Sequence, residues 1–158
     1  MRCKFLCHTC IIVFLLVAGG AKAGNWPEWR GPAGDGVSPE TGLPSEWSES
    51  KNVSWKVPLP GPGASTPAVW KDHIFLTSAE GNDIIVMAVS TGGQVLWKAK
   101  LGTGNHAYRR DEANQASPSP STDGRYVYAM AGTGDLAAFD FDGKPETAGG
   151  KPYTLQTF

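Results

Sequence analysis

Between Trp55 and Phe141 the apolar positions come in short runs rich in β-branched and aromatic residues. Ser54-Trp55-Lys56-Val57 opens the series; Ala68-Val69-Trp70, His73-Ile74-Phe75-Leu76-Thr77, Asp83 to Val89 and Gln94-Val95-Leu96-Trp97-Lys98 follow. Lys71-Asp72, Glu80-Gly81-Asn82 and Thr91-Gly92-Gly93 divide them. Arg125 to Met130 and Leu136 to Phe141 repeat the pattern, with turns at Asp123-Gly124, Gly132-Thr133-Gly134 and Asp142-Gly143. Short strands at such regular spacing predict an all-β sandwich, barrel or propeller. The 20 glycines and 12 prolines agree, since they leave little room for long helices.

A repeat separates these architectures. Trp55-Lys56-Val57-Pro58-Leu59 returns as Trp97-Lys98-Ala99-Lys100-Leu101, 42 residues later. Ser65 to Val69, and the segment through Ile74-Phe75, align at an offset of 53 with Pro118 to Thr122 and Val127-Tyr128. Ala88-Val89-Ser90 through Gly93 aligns at an offset of 50 with Ala138-Phe139-Asp140 through Gly143. An insertion around Asn105 to Gln115 and a shorter turn after Met130 account for the differences. A period of about 40 to 50 residues built from four short strands is the mark of a β-propeller blade. The expected fold is therefore all-β: a partial β-propeller of about two four-stranded antiparallel blades after an irregular N-terminal arm.

The two ends read differently. Arg2 and Lys4, the apolar run from Ile11 to Ala18, and Ala21-Lys22-Ala23 have the three-part layout of a secretory signal over residues 1–23. The apolar run is far short of the roughly 20 residues that span a bilayer, so no transmembrane span is expected in the mature chain. From 24 to 54 the chain is an arm rich in Trp, Gly and Pro. Its Trp26 and Trp29 are expected to be docked, because bare indoles make a costly exposed patch. Residues 55–143 hold the repeats. The stretch 144–158, with Pro145, Gly149-Gly150 and Pro152, is expected to be irregular and truncated, unable to form a paired strand.

Charge narrows the function. The chain is 18% charged with a net charge of −1; without Arg2, Lys4 and Lys22 it has 11 basic and 15 acidic residues. A mildly acidic chain without basic clusters has no footprint for nucleic acid. Cys3, Cys7 and Cys10 all lie in the signal, so the mature part is expected to lack disulfides and cysteine metal sites.

Ala88-x-Ser90-Thr91-Gly92-Gly93-x-x-Leu96-Trp97 resembles the strand-turn-strand motif of pyrroloquinoline-quinone (PQQ) type propeller repeats, with Ser90 where Asp is usual and one residue fewer. Trp26-Pro27-Glu28-Trp29-Arg30-Gly31-Pro32 is similar to the N-terminal arm of exported bacterial proteins of that family. The resemblance covers about Asn25 to Lys144. It implies structural roles for Trp55, Trp97 and Gly93: the Thr-Gly turn joins a blade's outer strands and the Trp docks between blades. After residues 1–23 are removed the 135 remaining residues hold about three such units at most, so the chain is expected to be the first part of a larger propeller.

The inserted loop holds the candidate ligand-binding residues His106, Tyr108, Arg109, Arg110 and Asp111. Long inter-strand connections often carry function. The same charges, Arg109 and Arg110 against Asp111 and Glu112, also describe a solvated, self-neutralising loop. Gly132-Thr133-Gly134-Asp135 lacks the helix that a phosphate loop needs. Asp140-Phe141-Asp142-Gly143 lacks the later ligands of a calcium loop. No catalytic, cofactor-binding or metal residues are assigned.

Two functions follow from the resemblance. One is an exported, noncatalytic propeller that binds an unidentified protein or small ligand, or acts as a scaffold. The other is part of a PQQ-dependent quinoprotein dehydrogenase, which the resemblance implies would hold PQQ in its channel beside a calcium ligated by Glu, Asn and Asp. No cofactor is expected under the first, and its location would be periplasmic or secreted. N-terminal sequencing of the exported protein should read Gly24-Asn25-Trp26; a retained Met1 on membrane-inserted material would refute the signal.

Overall fold

The computed structural model describes residues 24–109, 113–148 and 151–152. Among these residues eleven strands run in the order β1 (Ala68–Trp70), β2 (His73–Glu80), β3 (Asp83–Ser90), β4 (Val95–Thr103), β5 (Ala107–Arg109), β6 (Ala113–Asn114), β7 (Ser121–Thr122), β8 (Tyr126–Met130), β9 (Leu136–Asp140), β10 (Thr147–Ala148) and β11 (Lys151–Pro152). No helix occurs among the described residues. Two antiparallel meanders dominate, β1-β2-β3-β4 and β7-β8-β9.

Their ladders share one register. Ala68 faces Phe75 as Ser121 faces Tyr128, and Val69 faces Ile74 as Thr122 faces Val127. In the next ladder, Ile74↔Val89 and Phe75↔Ala88 return as Val127↔Phe139 and Tyr128↔Ala138. Side chains alternate between faces along a strand. An identical register therefore puts equivalent residues of both sheets on equivalent faces.

β3 is buried on both faces, which is why Ile84 to Val89 form an unbroken apolar run. On one face, Ala68, Phe75, Val86 and Ala88 meet Val127, Ala129 and Phe139 of the second sheet. Rings lock this contact: Phe75 and Phe141 are edge-on at 4.9 Å, and Trp97 lies 5.9 Å from Phe139. On the other face, Leu76, Ile85, Met87 and Val89 form a second cluster against which Val57 packs.

The arm behaves unevenly. Trp26 pairs with Val69 through reciprocal backbone bonds of 2.8 and 2.7 Å, and the Pro27 carbonyl accepts from the Thr122 amide at 2.9 Å. Asn25 adds its side-chain oxygen to the Lys71 amide. Three consecutive residues thus fasten the innermost strands of both sheets. Trp29, expected to be docked, is instead 65% exposed. The chain reverses where the Gly31 amide bonds to the Glu28 carbonyl, which turns Trp29 outward with the Arg30 guanidinium over its ring at 5.6 Å.

Two further expectations are corrected. Ser54 to Val57 form no strand, because no neighbouring strand offers them a ladder. The stretch after Lys144 is not wholly irregular: Pro145 bridges to Phe139, and β10 pairs with β11. Proline is tolerated there because its missing N–H is not needed. The bonds run from the Asp140 amide to the Lys144 carbonyl (2.9 Å) and from the Glu146 amide to the Ala138 carbonyl (2.8 Å).

Asp123 organises the β7–β8 turn. One carboxylate oxygen accepts the Arg125 and Tyr126 amides, both at 2.8 Å, and the other accepts the Tyr128 hydroxyl at 2.9 Å. The amide bond from Tyr126, then that from Arg125, holds its pKa below the ordinary value. A carboxyl depressed in the folded state adds stability above its unfolded pKa and loses it as pH falls through the folded one. Acid titration of thermal stability should therefore show a loss at low pH that shrinks in Asp123→Asn; identical profiles would remove Asp123 from that role.

Candidate functional site

The site residues implied by the repeat lie on the seam between units. Trp97 leaves β4, and its indole N–H donates to the Phe141 carbonyl at 2.8 Å. Its ring lies flat on Gly143, where a Cβ would come within 2.6 Å of it. Trp55 does the same one unit earlier, donating to the Thr91 carbonyl at 2.8 Å with its ring 2.7 Å from a Cβ built on Gly93. Gly93 and Gly143 have φ of 83° and 81°. Glycine is required twice over at these positions, for the left-handed backbone and for the indole above it. The two platforms differ in cover. Trp97 packs among Phe75, Phe139 and Phe141, while Trp55 is 39% exposed.

The inserted loop leaves at the end of β4. Arg110 and Asp111, and with them Glu112, lie outside the described residues, and for Tyr108 and Arg109 only the backbone of β5 is described. β5 and β6 pair at Ala107↔Asn114, giving the insertion a short hairpin of its own. Its stem is anchored: the Asn114 side chain donates to the Pro62 carbonyl at 3.1 Å and accepts from the Ala116 amide at 2.8 Å. His106 is exposed, with Nδ1 donating to the Gly104 carbonyl (2.8 Å) and Nε2 accepting from the Gln115 amide (2.9 Å). Those two partners fix its tautomer. Gln115 is itself buried, and nothing in a lone Gln foretells such a role.

Other polar candidates serve the turns. Asp140 accepts from the amides of Asp142 and Lys144 at 3.0 and 2.8 Å. Thr133 donates to Asp135 at 2.6 Å. Asp83 accepts from Lys100 and Thr103, and these two contacts, Lys100 first, lower its pKa. His73 stacks on Phe75 at 5.8 Å and meets Asp72 at 2.8 Å. Among the described residues no three of His, Cys, Asp and Glu converge on a point that could hold a metal ion.

Two surface clefts are lined by tryptophan. One, of about 500 Å³, lies between Pro44, Trp47, Asn52, Val53, Ser54 and Trp55. The other, of about 300 Å³, has Trp29 and Arg30 on one side and Ser119 and Ser121 on the other. Trp47, 73% exposed, has no counterpart in the repeat, so sequence reasoning gave it no role.

Sheets of this register, joined through a Trp–Gly seam, define propeller blades. Residues 80–147 match the family described as outer membrane protein assembly factor BamB, a match that supports a PQQ-like repeat in this chain. No curated protein and no solved structure matches it. No helix among the described residues is long and apolar enough to cross a membrane.

The seam yields a test. Gly143→Ala should cost at least about 1 kcal/mol from the positive φ alone, and Trp97→Ala about 3 kcal/mol. The double variant should cost clearly less than the two together, since deleting the indole removes the overlap with the new methyl. Additive costs in denaturant titrations would show that the two residues do not act as one contact.

Proposed function

We propose that this chain is an exported, noncatalytic PQQ-like propeller module that binds or scaffolds a partner. The observation that carries the reading is where four of its aspartates are spent. Asp83, Asp123, Asp135 and Asp140 accept hydrogen bonds within turns or from the adjacent strand. A general base or a calcium ligand needs an uncommitted carboxylate that faces a shared point with others. The matched family's description, an outer membrane protein assembly factor, supports a scaffolding role in the cell envelope. The signal layout of residues 1–23 supports export there. The net negative charge and the lack of basic clusters speak for a protein or small-molecule partner over nucleic acid.

Titration with PQQ and calcium tests the proposal. The quinone absorbance should stay that of free PQQ, and no dye should be reduced when an alcohol is added. A saturable spectral shift with alcohol-dependent dye reduction would replace it with the dehydrogenase reading.

A further inference from the structure

The turn that carries Trp29 is tied down through its backbone. Trp26 and Pro27 fix its entry to Val69 of β1 and Thr122 of β7. The Gly31 amide bonds to the Glu28 carbonyl at 2.9 Å, the Gly34 amide to the Gly31 carbonyl at 3.1 Å, and the Gly36 amide to the Arg30 carbonyl at 2.9 Å. Gly31 is buried on the Trp26 ring, where a Cβ would come within 2.8 Å. Trp29 therefore stands 65% exposed on a fixed backbone, not on a loose tail. An indole held in water this way adds nothing to the core and leaves a large apolar face without cover.

The cleft beside it has walls of distinct chemistry. Glu28, Trp29 and Arg30 face Ser119, Pro120 and Ser121 across about 300 Å³, the small end of the range for ligand sites. Arg30 lies over the Trp29 ring and, among the described residues, has no carboxylate partner, although Glu28 lines the same cleft. Ser119 Oγ accepts the Thr66 amide at 2.9 Å, which fixes the oxygen and leaves its proton for a ligand. Pro120 is fully buried between the two serines and holds that wall in place.

Each group selects one feature of a ligand. The indole takes the C–H face of a saturated ring, and the guanidinium takes a carboxylate, whose planar fork it matches. Glu28 accepts hydroxyl protons, and the serines both donate and accept. With a single cation beside a carboxylate, the cleft disfavours a phosphate dianion, which Glu28 repels, and a cationic ligand, which Arg30 repels. We infer that this cleft binds a sugar ring carrying one carboxylate, a uronic acid of a glycan. The ring stacks on Trp29, its carboxylate pairs with Arg30, and its hydroxyls meet Glu28, Ser119 and Ser121. The inference names a ligand class for the binding role above; that role has its own test in the PQQ titration, so either can fail without the other.

Calorimetry with a galacturonate trisaccharide, a neutral galactose trisaccharide and inorganic phosphate tests the inference on the whole chain. The uronate should bind saturably, and the other two about tenfold more weakly or not at all. Trp29→Ala should weaken uronate binding about tenfold or more with the β-sheet circular dichroism retained, since the ring is no part of the core. Arg30→Gln should bring the uronate down to the level of the neutral sugar. Trp47→Ala, which removes an exposed indole outside the cleft, should leave binding unchanged. No binding at millimolar uronate, equal binding of the neutral sugar, or a loss in Trp47→Ala as large as that in Trp29→Ala would overturn the inference. The comparison of the three ligands on the unmodified chain remains decisive even if a variant does not fold.

Discussion

An indole laid on a glycine holds these two sheets in sequence. The contact joins three demands at one point: a left-handed backbone at Gly143, an acceptor carbonyl at Phe141, and a flat ring from the unit before. None of the three works without the others. A side chain at the glycine would lift the ring, and a lifted ring would leave the indole N–H without its carbonyl. Around this contact gather Phe75, Phe139 and Phe141, so the shared core depends on it as well.

Repetition explains the unequal exposure of otherwise equivalent residues. Equivalent ladder positions differ in burial according to what packs against them. Phe75 and Tyr128 occupy the same ladder position, yet only the first is enclosed. The same logic separates Trp97 from Trp55. Local sequence sets the shape of each unit, while its surroundings set the energetics.

Much of the fold could be read beforehand, because strand alternation and turn residues are local signals. The offsets of 53 and 50 residues that align the two units reappear as the registers of Ala68↔Phe75 with Ser121↔Tyr128 and of Phe75↔Ala88 with Tyr128↔Ala138. Trp29 could not be read, since docking depends on a surface that only the folded chain creates. Pro145 misled because a proline's effect on a ladder depends on which way its neighbours' donors face. In the inserted loop, His106 was visible as a type of residue, but its partner Gln115 and the Gly104 carbonyl arise from the way the loop folds back.

The fastening of Asn25 to Pro27 across both inner strands bears on the order of assembly. Each meander is built from neighbours close in the chain, so its ladders can form early and independently. Asn25 to Pro27 bond instead to residues far along the chain, and need Val69 and Thr122 already side by side. Closing that long loop adds only slowly to the entropic cost, yet it has no reward until both meanders exist. The arm is thus a late clasp, the last piece to settle on folding and the first to be stripped by a pull on the N-terminus.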